Sequence, residues 1–169
     1  MINPVPENIE KILNSPAHLK VPKYQRDYKW GTSEAGEFWE DLESYLYTSG
    51  DHLFLGNLIF DISKVSHKEI GIIDGQQRIT TILILLIACR ELAKKINATK
   101  ISNKIQEKIC FEDTTTGDFL GSRLMASESI KLAFDYLCKD DWDGIFPDKI
   151  LTKQVKRQSN RIKPIYKYF

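Results

Sequence analysis

Histidine and cysteine are scarce in this chain, with three of each among 169 residues. Cys89, Cys110 and Cys138 form no Cys-x-x-Cys pair, and His18, His52 and His67 are dispersed. No zinc cluster or histidine-metal nuclease motif can therefore be assembled from local sequence. Three buried thiols are the expected use of the cysteines. Hydrolytic chemistry here must rest on carboxylates, Arg, Gln or a bound metal.

Long apolar runs are also lacking. The longest, Ile79 to Cys89, is interrupted by Thr80 and Thr81 and bounded by Arg78 and Arg90, far short of the roughly 20 residues a membrane helix requires. The first residues are Pro-punctuated and acidic rather than signal-like, so a cytoplasmic protein with no membrane partner is expected. Net charge is only +1, and the overall field makes no case for a polyanionic partner. Its distribution says more. Glu34 to Glu43 is acidic, whereas Lys153 to Phe169 carries Lys153, Lys156, Arg157, Arg161, Lys163 and Lys167 without one acid. With Tyr166, Tyr168 and Phe169 interleaved, that tail suits phosphate contact and base stacking. It equally suits an amphipathic helix that packs on a following part of a longer chain.

What is present is enough apolar and aromatic residue for one folded unit: 42% hydrophobic, with three Trp, seven Tyr and eight Phe. Periodicity and breakers predict a short helix after Pro6 that ends at Asn14-Ser15-Pro16, then a brief strand from His18 to Val21. A helix capped by Ser33 should follow, with Phe38, Trp39, Leu42, Tyr45 and Leu46 on one side to about Thr48. Leu53 to Ile62 and Glu69 to Ile73 read as a hairpin joined by a polar turn. Gly75 to Ile96 is the strongest helix, largely buried through Ile79, Ile82, Leu83, Leu86 and Leu92. Ile101 to Ile109 reads as helix, Cys110 to Arg123 as a Gly- and Thr-rich excursion, Ser127 to Cys138 as a capped helix, and Asp140 to Pro147 as a turn. The fold class is α/β (α+β).

The chemistry concentrates at Glu69-Ile-Gly-Ile-Ile-Asp-Gly-Gln-Gln-Arg-Ile-Thr-Thr-Ile-Leu, where a β-branched strand turns through Asp74-Gly75 into a helix. The opening N–H groups of a helix lack internal partners and lie at the positive end of its dipole, which favours anions. Gly75 admits close backbone approach to a phosphate. Arg78 offers a bidentate charged contact. Gln76 and Gln77 offer amides, and Thr80 and Thr81 offer hydroxyls. Asp74 either holds a divalent metal on the phosphates or caps the helix.

A second group, Val21-Pro-Lys-Tyr-Gln-Arg-Asp-Tyr-Lys-Trp30, sets Gln25 and Arg26 among Tyr24, Tyr28 and Trp30. The rings can stack on bases over a nucleotide held at Gly75, or serve as core plugs. In Phe54-Leu-Gly-Asn-Leu-Ile-Phe60, Gly56 marks either a close approach or a bulge.

These three motifs, in this order over Lys20 to Leu92, resemble the N-terminal domain of GmrSD-type modification-dependent restriction enzymes, which belongs to the ParB and sulfiredoxin-like superfamily. The match loosens from Ile101 onward. The resemblance implies a small ParB-like sheet with a central buried helix and surrounding helices, in one domain over 1–169 with a core at 18–98 and a helical extension at 99–169. It implies that Asp74, Gly75, Gln76, Gln77 and Arg78 bind and help to hydrolyse an NTP with Mg²⁺, and that Tyr24, Gln25 and Arg26 line the same cleft. DNA, modified in several members, is the sensed partner in phage defence. The nuclease is a C-terminal or separate His-Asn-His domain, and Asn160 to Phe169 resembles the start of a later helix in such proteins, so the natural chain is expected to continue past Phe169. Alternatives are a non-catalytic module for DNA or a modified phosphate, and a metal-dependent nickase in the ParB-like cleft.

Overall fold

The computed structural model describes residues 5–48, 53–142 and 153–169. A four-stranded mixed sheet has strand order β2-β3-β1-β6. At its centre β1 (His18–Lys20) runs parallel both to β3 (Glu69–Asp74) and to β6 (Leu124–Met125). On the far side of β3, β2 (Ile59–Asp61) pairs antiparallel through a bulge between Ile59 and Phe60.

The hairpin expected from Leu53 to Ile73 is therefore present but shortened on its first arm. Residues 53–58 carry no regular structure, because Gly56 takes a φ of +86° that breaks the extended path. The turn between the arms includes a 3-10 helix, Val65–His67.

The helices follow their caps. Asn8, not Pro6, starts α1 (Ile9–Leu13), its Oδ1 accepting the Lys11 N–H at 2.8 Å. Gly31 rather than Ser33 precedes α2 (Thr32–Tyr47), and the Glu34 carboxylate reaches back to accept the Gly31 N–H at 2.8 Å. That bond holds the Glu34 carboxyl below its ordinary pKa. Of the stripe expected on α2, Phe38 is buried and Leu46 is 73% exposed.

The long helix α3 (Gln76–Lys95) buries Ile79, Leu83, Ile84 and Ile87 completely, each worth roughly 1.5–3 kcal/mol against its exposed state. Its second half keeps a wet side. Leu92 is 60% exposed, and Cys89 is exposed while Cys110 and Cys138 are buried, so the expectation of three buried thiols fails at Cys89. Helix α4 (Thr99–Ile109) packs along α3.

The excursion at 110–123 is not loop. It forms a two-stranded antiparallel pair, β4 (Cys110–Glu112) and β5 (Phe119–Ser122), before β6 enters the main sheet. Helix α5 (Lys131–Cys138) begins four residues after Ser127, with Ile130 at its cap position. Of the turn expected at Asp140 to Pro147, residues 143–147 lie outside the described residues.

The tail is helix α6 (Lys153–Tyr168). Its apolar side does not await a following segment. Val155, Ile162 and Ile165 are buried against α2, α3 and α5 of this chain. Its rings pack as well: Tyr166 lies edge-on to Trp142 at 5.1 Å and Phe169 meets Trp39 at 5.9 Å. One apolar cluster joins Leu19, Ile72 and Leu124 of the sheet to α3, α5 and α6. Sheet and core thus run across residue 98, and β6 and α6 belong to the same packed body as β1 and α3. No helix among the described residues is long and apolar enough to cross a membrane.

Candidate functional site

Strand β3 delivers the chain to Asp74, and Gly75 turns it into α3 with a φ of +88°. Any larger residue meets two obstacles there. The backbone is left-handed, and an added Cβ would lie 2.2 Å from Leu58 Cδ2. No side chain caps the helix, so its opening N–H groups remain without intrahelical partners. Asp74 is exposed, and its Oδ1 accepts the Gly75 N–H at 2.8 Å. Asp74 thereby secures the turn while one carboxylate oxygen faces solvent.

The two glutamines are turned inward. Gln77 is 5% exposed. Its Oε1 accepts from the N–H groups of Lys29 at 2.8 Å and Trp30 at 3.3 Å, and its Nε2 donates to the Asp27 carbonyl at 3.0 Å. Gln76, 6% exposed, donates to the Arg26 carbonyl at 2.8 Å and to Gln25 Oε1 at 3.3 Å. Gln25 in turn donates to the Ile73 carbonyl at 2.7 Å. The threonines face inward too. Thr80 donates to the Gln76 carbonyl at 2.7 Å, and Thr81 shares a 2.8 Å bond with the buried Tyr28 hydroxyl. Burial pushes the Tyr28 phenol up to about 12.

The loop Pro22 to Gly31 is therefore fastened over the first turn of α3 by side-chain amides. The sequence-identified groups separate into two sets. Gln25, Gln76, Gln77, Thr81 and Tyr28 hold the loop and helix together, Thr80 is bonded within α3, and Trp30 is half-buried against the core. Asp74, Arg26 and Tyr24 face solvent, Tyr24 with 72% exposure.

Arg78 lies at the mouth between these sets. Its Nη1 donates to the Asn57 carbonyl at 3.3 Å, and a Cβ on Gly56 would come within 2.8 Å of its Nη2. Gly56 thus makes the room for a guanidinium, which accounts for the glycine in Phe-Leu-Gly-Asn-Leu-Ile.

Two partners escaped the sequence reading. Leu58 fills the space under Gly75, and Asp27 of the loop pairs with Arg161 of α6 at 3.3 Å. The latter contact spans 134 residues and leaves no local signal. Two cavities open elsewhere, about 380 Å³ beside Glu107, Phe111, Glu112 and Arg123 and about 220 Å³ beside Ile12, Leu19, Phe60 and Ile70. Neither is lined by Asp74 to Arg78. Among the described residues no group of three or more His, Cys, Asp or Glu side chains is placed to hold a metal.

The chain is thus a mixed-sheet α/β domain whose strand-turn-helix carries an exposed Asp74 and a half-buried Arg78 beside a Gln-fastened loop. A family model described as GmrSD restriction endonuclease, N-terminal domain, matches residues 9–169, and the chain belongs to that family. The match runs through α4, α5 and α6, beyond the three motifs that carried the resemblance. Membership places the chain in a restriction system, a defence against phage. A search of curated proteins returns no match.

Proposed function

We propose that the entrance formed by Asp74, Gly75, Arg78, Arg26 and Tyr24 binds the phosphates of a nucleoside triphosphate, and that occupancy and turnover there regulate DNA cleavage by a nuclease region elsewhere in the system. One observation carries this reading. Arg78 and Asp74 remain accessible at an uncapped helix N-terminus, while Gln76, Gln77 and Thr81 are engaged with the loop beside them and Thr80 with its own helix. The starts of α4 and α5 also lack a side-chain cap, so the support for this reading is the accessible Asp74 and Arg78 beside the open N–H groups.

In this reading the backbone N–H groups and Arg78 hold phosphate oxygens. Tyr24 and Arg26 cover the base or ribose from the loop. Gln76 and Gln77 are positioning residues that act through the loop. Mg²⁺ fits the residues present, because that ion keeps several waters and needs only one or two carboxylates besides substrate phosphates. Asp74 would supply the carboxylate, and the ion would neutralise phosphate charge.

The test is titration calorimetry with each NTP and Mg²⁺, joined to phosphate-release assays with plain and modified DNA. Arg78→Ala should weaken triphosphate binding by about 1.5–3 kcal/mol, the range for hydrogen bonds to charged groups, with an unchanged melting curve. Equal affinity in a normally folded Arg78→Ala protein would remove the phosphate site from this turn. Binding without phosphate release would leave a non-hydrolysing module.

A further inference from the structure

Helix α6 divides sharply into two sides. Val155, Gln158, Ser159, Ile162 and Ile165 are buried, and Gln158 is bolted inward, accepting the Ala133 N–H at 3.1 Å and donating to the Glu128 carbonyl at 2.8 Å. The outward side reads Lys153, Lys156, Arg157, Asn160, Pro164 and Lys167, all exposed. These positions recur at intervals of three and four, so they form one stripe. From Lys153 to Lys167 that stripe is about 21 Å long at the helical rise. Because the inner side is already packed, rolling or reseating the helix cannot hide these cations.

The Arg161–Asp27 pair at 3.3 Å brings the middle of α6 against the loop that carries the exposed Lys23 and Lys29. We infer that the outward face of α6, continued by these loop cations, is a docking surface for the phosphodiester backbone of duplex DNA.

Charge complementarity and rigidity select that partner. A duplex presents one negative charge per roughly 1.7 Å of axis, which a straight row of Lys and Arg can follow. A single strand is held chiefly by aromatic platforms; the stripe from Lys153 to Lys167 carries none, and the exposed rings Tyr168 and Tyr24 lie off it. A membrane-surface helix must turn apolar residues outward, whereas those of α6 lie inside the protein. This inference rests on the family's action on DNA and not on the nucleotide entrance.

Fluorescence anisotropy of the 169-residue chain with a labelled duplex of about two helical turns, over a range of salt, tests it. Replacing Lys153, Lys156 and Arg157 together by Gln should lower affinity at least about tenfold near 50 mM salt and flatten the log K against log salt slope by about 2 to 3, at 0.9 per lost phosphate contact. Replacing exposed Lys95, Lys100 and Lys104 by Gln removes equal charge from α3 and α4 and should leave the slope nearly unchanged. Arg157→Lys should retain it. Equal losses in both triple variants, no duplex binding by the parent chain, tighter binding to a single strand that Tyr24→Ala abolishes, or binding to phosphatidylserine vesicles in place of duplex would each overturn the inference. Calorimetry with NTP separates the two readings. A lost nucleotide site with the expected salt slopes refutes only the entrance, and the reverse refutes only the α6 surface.

Discussion

At residue 90, well along α3, the helix carries a guanidinium with no exposure at all. At residues 76–78 it carries two buried amides and a second guanidinium that reaches the surface. Arg90 donates to Glu91 at 2.7 Å, to Gln106 and the Cys138 carbonyl through Nη1, and to the Leu137 carbonyl at 2.8 Å. Gln106 then donates to Glu112 and to the same Cys138 carbonyl. That network joins α3, α4, β4 and the end of α5 and closes on itself. The network at the helix start also closes, through Gln25, Gln76, Gln77 and the loop carbonyls, yet Asp74, Arg78 and Tyr24 stand outside it. Density of buried polar contacts therefore does not mark a site. What separates the two ends is the accessible charge left beside the network at residues 74–78.

The largest expected effect breaks the closed end. Arg90→Met strands the Leu137 carbonyl and Gln106 Oε1 and leaves the buried Glu91 carboxylate with Lys94 alone, and removal of one partner from a buried charged network costs about 3–5 kcal/mol. Thermal melting should fall by on the order of 10 °C. A loss under about 1 kcal/mol would show that the network is not closed. Next is Gly75→Ala, expected to cost about 2–3 kcal/mol from left-handed strain plus the Leu58 overlap. Pairing it with Leu58→Ala should make the combined cost smaller than the sum, a coupling readable in a double-mutant cycle.

Gln77→Ala removes three bonds to the loop and should destabilise by about 1–3 kcal/mol. Its signature is faster hydrogen exchange at the Lys29 and Trp30 amides, with Arg90-region protection intact; uniform loss of protection would contradict the separation of the two ends. The smallest effect is Tyr28→Phe, about 1 kcal/mol for the Thr81 bond. The Tyr28 phenol ionises near 10 when unfolded and at about 12 when folded. Its contribution to stability is thus full below pH 10 and is lost as pH rises toward 12. Denaturant titrations above pH 10 should show a shallower alkaline decline in the Phe variant.

Long periodic elements were readable in advance. Strand Glu69–Asp74 and helices α2 and α3 repeat their pattern over enough residues to outweigh local noise. Strands of two to four residues at 110–125 cannot; β6 is made by its parallel partner, not by its own alternation. The candidate entrance was legible as residue types at Asp74 to Arg78; at Gly56, where a backbone or ligand was expected to approach, the neighbour is the Arg78 side chain. Which Gln faces a ligand and which fastens a loop was not, since both uses require the same amide. Cys89 and Leu92 fall on an α3 face left wet by its neighbours, a fact of packing between helices. Arg161 and Asp27 meet only once the whole chain is folded.

The central strand β1 also governs the order in which this protein comes together. Its two neighbours in the sheet, registered at Ile70 and Leu124 opposite Leu19, both run parallel to it and lie far along the chain. Parallel pairs admit no tight local turn, so β1 gains nothing from nearby sequence while it emerges from the ribosome. The β2–β3 hairpin with α3 is the natural early nucleus, and β1 is recruited to it from behind. Its other edge stays open until Leu124 and Met125 have been synthesised. Over that interval Leu19 sits on an unpaired strand edge, the kind of surface that invites aggregation, and pairing across so long a stretch of chain carries a high loop-closure cost.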